Sequence, residues 1–189
     1  IRRANRLGIN IGEPEVDLDT LYRFKDKMVR KLVGGVKSLL KGSNVDVFKG
    51  LAAFADPHTL EVRDANGKST QRLNAKHIII ATGSRPAVPP IPGLDGVDYW
   101  TSTTLLEENR SLPESMIIIG GGVIGTECAT ILNDLGVKVT ILEMMDQLLP
   151  QMDSEAAELL RKSLKKDGVE IHTGVKVTSV SADGGLTQC

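Results

Sequence analysis

The 189-residue sequence has few cysteines, no strong excess of charge and no long hydrophobic run. Its two cysteines, Cys128 and Cys189, lie far apart, with no C-x-x-C pair and no cluster with histidine. The sequence therefore predicts two free thiols, no metal site and a reducing, cytoplasmic compartment. The net charge of −1 indicates no basic surface for nucleic acid or for an anionic membrane. No apolar run approaches the roughly 20 residues that a membrane-spanning helix needs.

The start of the chain is typical of the interior of a longer protein. The first residue is Ile1, and residues 1–8 carry three arginines before a glycine, as the last turn of a helix often does. We therefore expect the sequence to begin inside a larger polypeptide. Its content of 41% hydrophobic and 25% charged residues is ordinary for a globular protein.

A glycine-rich turn after a buried strand is the most informative motif. Residues 116–125 read MIIIGGGVIG, which places Gly120, Gly122 and Gly125 on the G-x-G-x-x-G spacing of a dinucleotide site. In such a site the first glycine permits a tight turn, the second lets the backbone approach a pyrophosphate, and the third lets helix and strand pack closely. The following helix directs its free N–H groups at the phosphates.

The sequence after the turn supplies the context that the bare motif lacks. Ala129 lies on the helix face that packs near the strand, and residues 137–142 form a second apolar strand that ends at Glu143, about 20 residues past the turn. An acid there binds the adenosine ribose and disfavours a 2′-phosphate, so NAD is predicted over NADP; Met144 and Met145 follow it. The alternative is a plain strand–turn–helix with an exposed acid at the strand end.

The rest of the chain alternates predicted helices and strands, which indicates an α/β fold. Helices are predicted from Asp19 or Thr20 to Gly42, around 104–109, and from Asp153 or Ser154 to Gly168. Strands are predicted at 45–48, 60–63, 70–73, 77–81, 169–172 and 175–177, with a hairpin at Asn66-Gly67. The proline-rich stretch 86–98 is predicted to hold no regular element.

Two motifs together resemble a known family. The run IIATGSRP at 79–86, a proline-rich crossover and then IIGGGVIGTE at 118–127 resemble the flavin-dependent pyridine-nucleotide–disulfide oxidoreductases. Within that family, KDKMV at 25–29, GGVKSLLK at 34–41 and VFKG at 47–50 are similar to the dihydrolipoamide dehydrogenase subfamily. The resemblance covers essentially the whole chain.

The resemblance implies Rossmann-like FAD- and NAD(P)-binding domains, a partial FAD domain followed by a partial NAD domain. Residues 1–85 would be the second portion of the FAD domain, 86–112 a crossover linker with a short helix, and 113–189 a truncated NAD domain. The family's first FAD glycine motif and its redox cysteine pair would precede Ile1. Its second FAD motif and its interface domain would follow Cys189. We therefore expect no catalytic residue in this chain, and no activity of the chain alone.

The resemblance also implies which residues hold the two cofactors. The FAD contacts would be Ala52, Thr82, Gly83 and Ser84. The NAD contacts would be Gly120, Gly121, Gly122, Val123, Ile124, Gly125, Glu127 near the nicotinamide, Glu143, and Val177.

The implied parent enzyme is an NAD-dependent flavoprotein. It would reoxidise dihydrolipoyl groups, passing electrons through a cysteine pair and FAD to NAD. By resemblance it would be a homodimer acting on a lipoyl-bearing protein of a 2-oxo-acid dehydrogenase or glycine-cleavage complex. Mercuric reductase, glutathione reductase and NADH oxidase are alternatives within the family. A non-catalytic NAD-binding module is the alternative from another class.

Overall fold

The computed structural model describes residues 7–9, 12, 15–107, 111–183 and 186–188. The chain divides into one compact unit at Arg23–Arg85 and another that holds Pro86–Cys189 with Ile1–Tyr22. Helices and strands alternate along it, in the order α1 Leu18–Gly42, β1 Leu51–Asp56, β2 Thr59–Arg63, β3 Ser69–Asn74, α2 Ser102–Leu105, β4 Ser115–Ile119, α3 Val123–Asp134, β5 Lys138–Leu142, α4 Ser154–Lys166, β6 Glu170–His172, β7 Ser181–Asp183 and β8 Leu186–Gln188. The fold class is α/β, as predicted.

Helix α1 begins at Leu18, one or two residues before the predicted start. The carboxylate of Asp17, rather than Asp19 or Thr20, accepts the N–H of Thr20 at 3.0 Å and caps the helix. Its end at Gly42 is as predicted. The apolar residues of α1 are exposed, since no residue of the helix is buried and Leu32 and Leu39 are each 71% exposed.

Strands β1, β2 and β3 form an antiparallel meander in the Arg23–Arg85 unit. The hairpin predicted at Asn66-Gly67 is confirmed, because β2 pairs with β3 in a register that sets Leu60 opposite Leu73. Gly67 has a φ of +78°, a conformation that glycine adopts readily. Asp64 tightens the turn by accepting the N–H groups of Asn66 and Lys68, both at 2.9 Å.

Two strand predictions in this unit were wrong. Residues 45–48 form no strand, and pairing instead begins at Leu51, opposite Arg63. Residues 77–81, predicted as a buried parallel strand, form no strand in the described part of the chain, and Ile79 and Ile80 are 90% and 72% exposed. An apolar run becomes a parallel strand only where neighbours provide ladder bonds and covered faces. Strands β1 to β3 pair with one another instead.

The other unit contains a parallel sheet in the order β4-β5-β6. Helix α3 connects β4 to β5, and α4 lies between β5 and β6, so the segment is a βαβαβ unit of the Rossmann-like type. Alternate residues of β5 point inward, which buries Val139 and Ile141. The core cluster consists of Leu105, Ala129, Leu132, Val137, Val139, Ile141, Leu148, Leu164, Val169 and Ile171. Each fully buried aliphatic side chain contributes about 1.5–3 kcal/mol, so this cluster anchors the sheet.

Helix α4 begins as predicted, with Asp153 at its cap. The Asp153 carboxylate accepts the N–H groups of Glu155 at 3.0 Å and of Ala156 at 3.3 Å. Ala157 and Leu164 are its buried residues, whereas Leu159 is 69% exposed.

The connecting segments differ from prediction in three places. A 3-10 turn at Leu94–Gly96 interrupts the proline-rich stretch. Helix α2 ends at Leu105, and residues 108–110 lie outside the described part of the chain. Residues 175–177 form no strand; the Val175 N–H donates to the carbonyl of Glu143, just past the end of β5, at 3.1 Å. Among the described helices, none has the length and apolar character to cross a membrane.

Candidate dinucleotide-binding site

The glycine turn joins the end of β4 to the start of α3. Gly120 has a φ of +106°, a conformation that favours glycine, and its N–H donates to the Leu142 carbonyl of β5 at 2.8 Å. The chain can therefore leave the strand sharply while staying attached to the sheet. This is the geometry predicted for the first glycine of the motif.

The absence of a side chain has a different consequence at Gly122 than at Gly125. A Cβ on Gly122 would meet nothing within 4 Å, so the backbone there faces open space. A Cβ on Gly125 would overlap the Gly120 carbonyl oxygen and lie 3.4 Å from Cγ2 of Ile118. Gly125 therefore serves close packing of helix on strand, whereas Gly122 leaves room for a ligand to approach the backbone.

The N-terminus of α3 has its backbone N–H groups available. Gly122 is the N-cap residue, and no side chain caps this end of the helix. The Thr126 hydroxyl donates to the carbonyl groups of Gly122 and Val123, at 3.1 and 2.9 Å, and so leaves the first N–H groups uncovered. The helix dipole adds a partial positive charge at this end. The arrangement suits a phosphate, which fits the predicted pyrophosphate position.

Glu143 is buried at the end of β5, beside the glycine turn. The residue is 7% exposed, so the interpretation as an exposed strand-end acid was wrong. One carboxylate oxygen accepts the Gly121 N–H at 2.6 Å, and the other accepts the Met145 N–H at 2.8 Å. Each oxygen retains acceptor capacity for a further donor, such as a ribose hydroxyl.

Gly121 and the segment after Glu143 are in direct contact. Gly121 is buried, its carbonyl accepts the Leu149 N–H at 2.9 Å, and a Cβ on Gly121 would overlap Cδ2 of Leu148. The sequence motif does not identify Leu148 or Leu149, and no local pattern marks them. These two residues were missed because their contact with the turn forms only in the folded chain.

The remaining residues predicted for NAD are less enclosed than Gly121 and Glu143. Val123 and Ile124, in the first turn of α3, are 51% and 59% exposed, and Glu127 on the next turn is also exposed. Val177 is half-buried and lies two residues after Val175, whose N–H donates to the Glu143 carbonyl. The structure thus brings the six turn residues and Glu143 together directly.

The residues predicted for FAD lie in the Arg23–Arg85 unit. Ala52 is exposed on β1, opposite Val62 of β2. Thr82, Gly83 and Ser84 are exposed and lie outside regular elements, and Gly83 has a φ of +78°.

Cys128 lies in α3 behind the turn and is a free thiol, as predicted; Cys189 lies outside the described residues. Burial raises the pKa of the Cys128 thiol, and the neighbouring Glu127 carboxylate raises it further. This environment does not activate the thiol as a nucleophile. Across the described residues, no group of three or more His, Cys, Asp or Glu side chains could hold a metal ion.

Curated relatives share most of this chain. A dihydrolipoyl dehydrogenase from Thermus scotoductus is 42% identical over 93% of the chain and 36% of its own length. One from Acholeplasma laidlawii is 41% identical over 95% of the chain and 53% of its own length. The chain therefore spans between about a third and a half of the length of these relatives.

Two solved structures share the fold of this chain. LpdA from Mycobacterium tuberculosis superposes with a TM-score of 0.82 at 26% identity, over 98% of this chain and 40% of its own. The HOCl-induced flavoprotein disulfide reductase RclA from Escherichia coli superposes with a TM-score of 0.75 at 32% identity, over 92% of this chain and 39% of its own.

A family model covers nearly the whole sequence. The model for pyridine nucleotide-disulphide oxidoreductases matches residues 5–188. Together with the relatives and the shared fold, this match establishes that the chain belongs to the pyridine nucleotide-disulphide oxidoreductase family.

Proposed function

We propose that the βαβαβ unit of this chain binds NAD(H). Two features that lie together at one edge of the parallel sheet support the proposal. Gly122 leaves the uncapped N-terminus of α3 open, and the buried carboxylate of Glu143 is bonded to the adjacent Gly121. A donor site for phosphate and an acceptor site for ribose are thereby held side by side.

The residues present fit the dinucleotide, and their roles follow from their chemistry. The N–H groups at the start of α3 would bind the pyrophosphate, and Glu143 would accept the adenosine ribose hydroxyls. Val123, Ile124, Glu127 and Val177 would line the same ligand. When bound, NAD supplies hydride transfer, and the protein contributes binding and orientation.

We propose NAD rather than NADP as the ligand. Both oxygens of Glu143 accept backbone N–H groups, which hold the carboxylate beside the glycine turn. A 2′-phosphate beside it would be repelled, whereas ribose hydroxyls would donate to it. Met144 and Met145, which follow, carry no charge that would attract a phosphate.

Titration of the 189-residue chain with NADH and NADPH, followed by nicotinamide fluorescence, tests this proposal. We expect saturable NADH binding and NADPH affinity at least about tenfold weaker, equivalent to ~1.4 kcal/mol. Glu143→Gln should weaken NADH binding and narrow the difference in affinity between NADH and NADPH. The matched control is Glu155→Gln, which replaces an exposed acid at the start of α4. It should change neither the NADH affinity nor the difference in affinity between NADH and NADPH. Equal affinities in the unmodified chain would overturn the preference for NAD.

We further propose the domain assignment made above for residues 1–85, 86–112 and 113–189. The separation of a compact unit ending at Arg85 supports a boundary there. Ala52 and Thr82–Ser84, all within the first of these segments, would contact FAD. In the full-length protein, loss of bound FAD on substituting Ala52 or Thr82 by a larger residue would support this assignment, and an unchanged FAD content would count against it.

For the whole protein we propose dihydrolipoyl dehydrogenase activity in a homodimer. The names of the relatives from Thermus scotoductus and Acholeplasma laidlawii support this choice. The substrate would be the dihydrolipoyl group of a 2-oxo-acid dehydrogenase or glycine-cleavage complex. Reduction of NAD by dihydrolipoamide, catalysed by the full-length protein, tests this proposal. Preference for glutathione disulfide, for mercuric ion or for oxygen would favour one of the related enzymes instead.

A further inference from the structure

Gly121 has a defined structural role that the dinucleotide motif does not require. The motif allows any residue between its first two glycines. Here the Gly121 N–H donates to Glu143 at 2.6 Å, and its carbonyl accepts the Leu149 N–H at 2.9 Å. A Cβ in its place would overlap Cδ2 of Leu148 and lie 3.1 Å from Cβ of Glu143. Both backbone groups and the side-chain space are therefore occupied by the protein itself.

The segment that contacts Gly121 has an unusual conformation. Leu149 has a φ of +49°, which non-glycine residues seldom adopt and which costs conformational energy unless the surroundings impose it. Leu148 is 1% exposed and belongs to the core cluster, so the segment cannot leave Gly121 without exposing this side chain. Burial of Leu148 thus holds the Leu149 N–H toward the Gly121 carbonyl.

We propose that Leu148 and Leu149 are positioning residues, which hold the glycine turn in place through their contacts with Gly121. We call this pair of contacts the lock. The lock holds the carboxylate of Glu143 at a constant separation from Gly122 and the N-terminus of α3. A dinucleotide that spans both then binds a preorganised site and orders less of the protein on binding. The inference rests on the proposed NAD(H) site, but the lock itself is a property of the unliganded chain.

Amide hydrogen exchange of the 189-residue chain tests the lock without any ligand. The Gly121 and Leu149 amides should exchange slowly, and Leu148→Ala should speed both by about tenfold or more. Leu164→Ala is the matched control, since it removes the same side chain from the same core cluster in α4. It should leave these two amides within about twofold of the unmodified chain. Equal effects of the two variants would show that Leu148 is only a core residue. If either alanine variant fails to fold, Leu148→Val and Leu164→Val make the same comparison.

NADH titration then tests the functional consequence. Leu148→Ala should weaken NADH binding by about tenfold at a temperature where circular dichroism shows it folded, and Leu164→Ala should not. Loss of affinity in both variants alike would refute the positioning role. If the unmodified chain binds no NADH but its Gly121 and Leu149 amides are protected, the proposed function fails and the lock stands.

A rescue experiment identifies the contact directly. Gly121→Ala should weaken NADH binding, because the new methyl group overlaps Leu148. In the Leu148→Ala background the same methyl group occupies the vacated space, so adding Gly121→Ala should cause a smaller loss than it does alone. Additive losses would contradict a direct contact between the two positions.

Discussion

Replacing Gly122 and Gly125 by alanine should separate ligand binding from folding stability. At Gly125 the new Cβ would overlap the Gly120 carbonyl oxygen and lie 3.2 Å from its carbon, so α3 and the end of β4 must move apart. Overpacking of this kind costs about 1–3 kcal/mol. The gain of up to about 1 kcal/mol from alanine in a helix offsets part of it. We therefore expect Gly125→Ala to lower the free energy of unfolding by about 1–2 kcal/mol.

At Gly122 the contributions of the substitution to the free energy of unfolding nearly cancel. Its φ of −71° and ψ of −174° are open to alanine, and a Cβ would meet nothing within 4 Å. Alanine is a poorer N-cap than glycine by several tenths of a kcal/mol or more. Reduced entropy of the unfolded chain returns about 0.4–1 kcal/mol. Stability should therefore stay within about 0.5 kcal/mol, while the methyl group, standing where the pyrophosphate must approach, weakens NADH binding by about tenfold or more.

Urea unfolding and NADH titration of the two variants measure both effects. With a slope of about 2 kcal/mol per molar urea, the midpoint for Gly125→Ala should fall by roughly 0.5–1 M, and that for Gly122→Ala should shift by no more than about 0.3 M. Gly34→Ala in α1, where a Cβ meets nothing, is the control and should leave NADH binding unchanged. Unaltered NADH affinity in Gly122→Ala, or unaltered stability in Gly125→Ala, would refute the assignment of separate roles to these glycines.

Three further predictions concern other parts of the chain. Because burial raises the pKa of Cys128, its alkylation in mildly alkaline buffer should be slower in the folded than in the urea-unfolded chain, with Cys128→Ser identifying the signal; equal rates would contradict this. The stability from the neutral thiol is present below its ordinary pKa and is lost as pH rises toward the folded-state value. Asp153→Ala should cost about 0.5–2 kcal/mol in urea unfolding through loss of the α4 cap, whereas Ser154→Ala should cost little. The 189-residue chain, which has no close cysteine pair, should show no reduction of NAD by dihydrolipoamide with added FAD; turnover near ~1 s⁻¹ would overturn that prediction.

The sequence by itself determined the elements whose conformation depends on residues that are close to one another in the chain. The glycine spacing, the apolar run before it and the strand ending at Glu143 predicted β4, α3 and β5 in order. Asn66-Gly67 predicted its hairpin, and Asp153 predicted the start of α4. In each case the residues that decide the conformation are neighbours in sequence, so their pattern is sufficient.

Tertiary structure alone decided the features that depend on distant partners. The run at 77–81 has the composition of a parallel strand but lacks neighbouring strands in the described chain. Glu143 could be read as a ribose acceptor from its position, but its burial and its bond to Gly121 required the folded loop. The contacts of Leu148 and Leu149 with Gly121 join residues more than 25 apart. Such contacts form only when β4 and β5 lie side by side, so no local pattern encodes them.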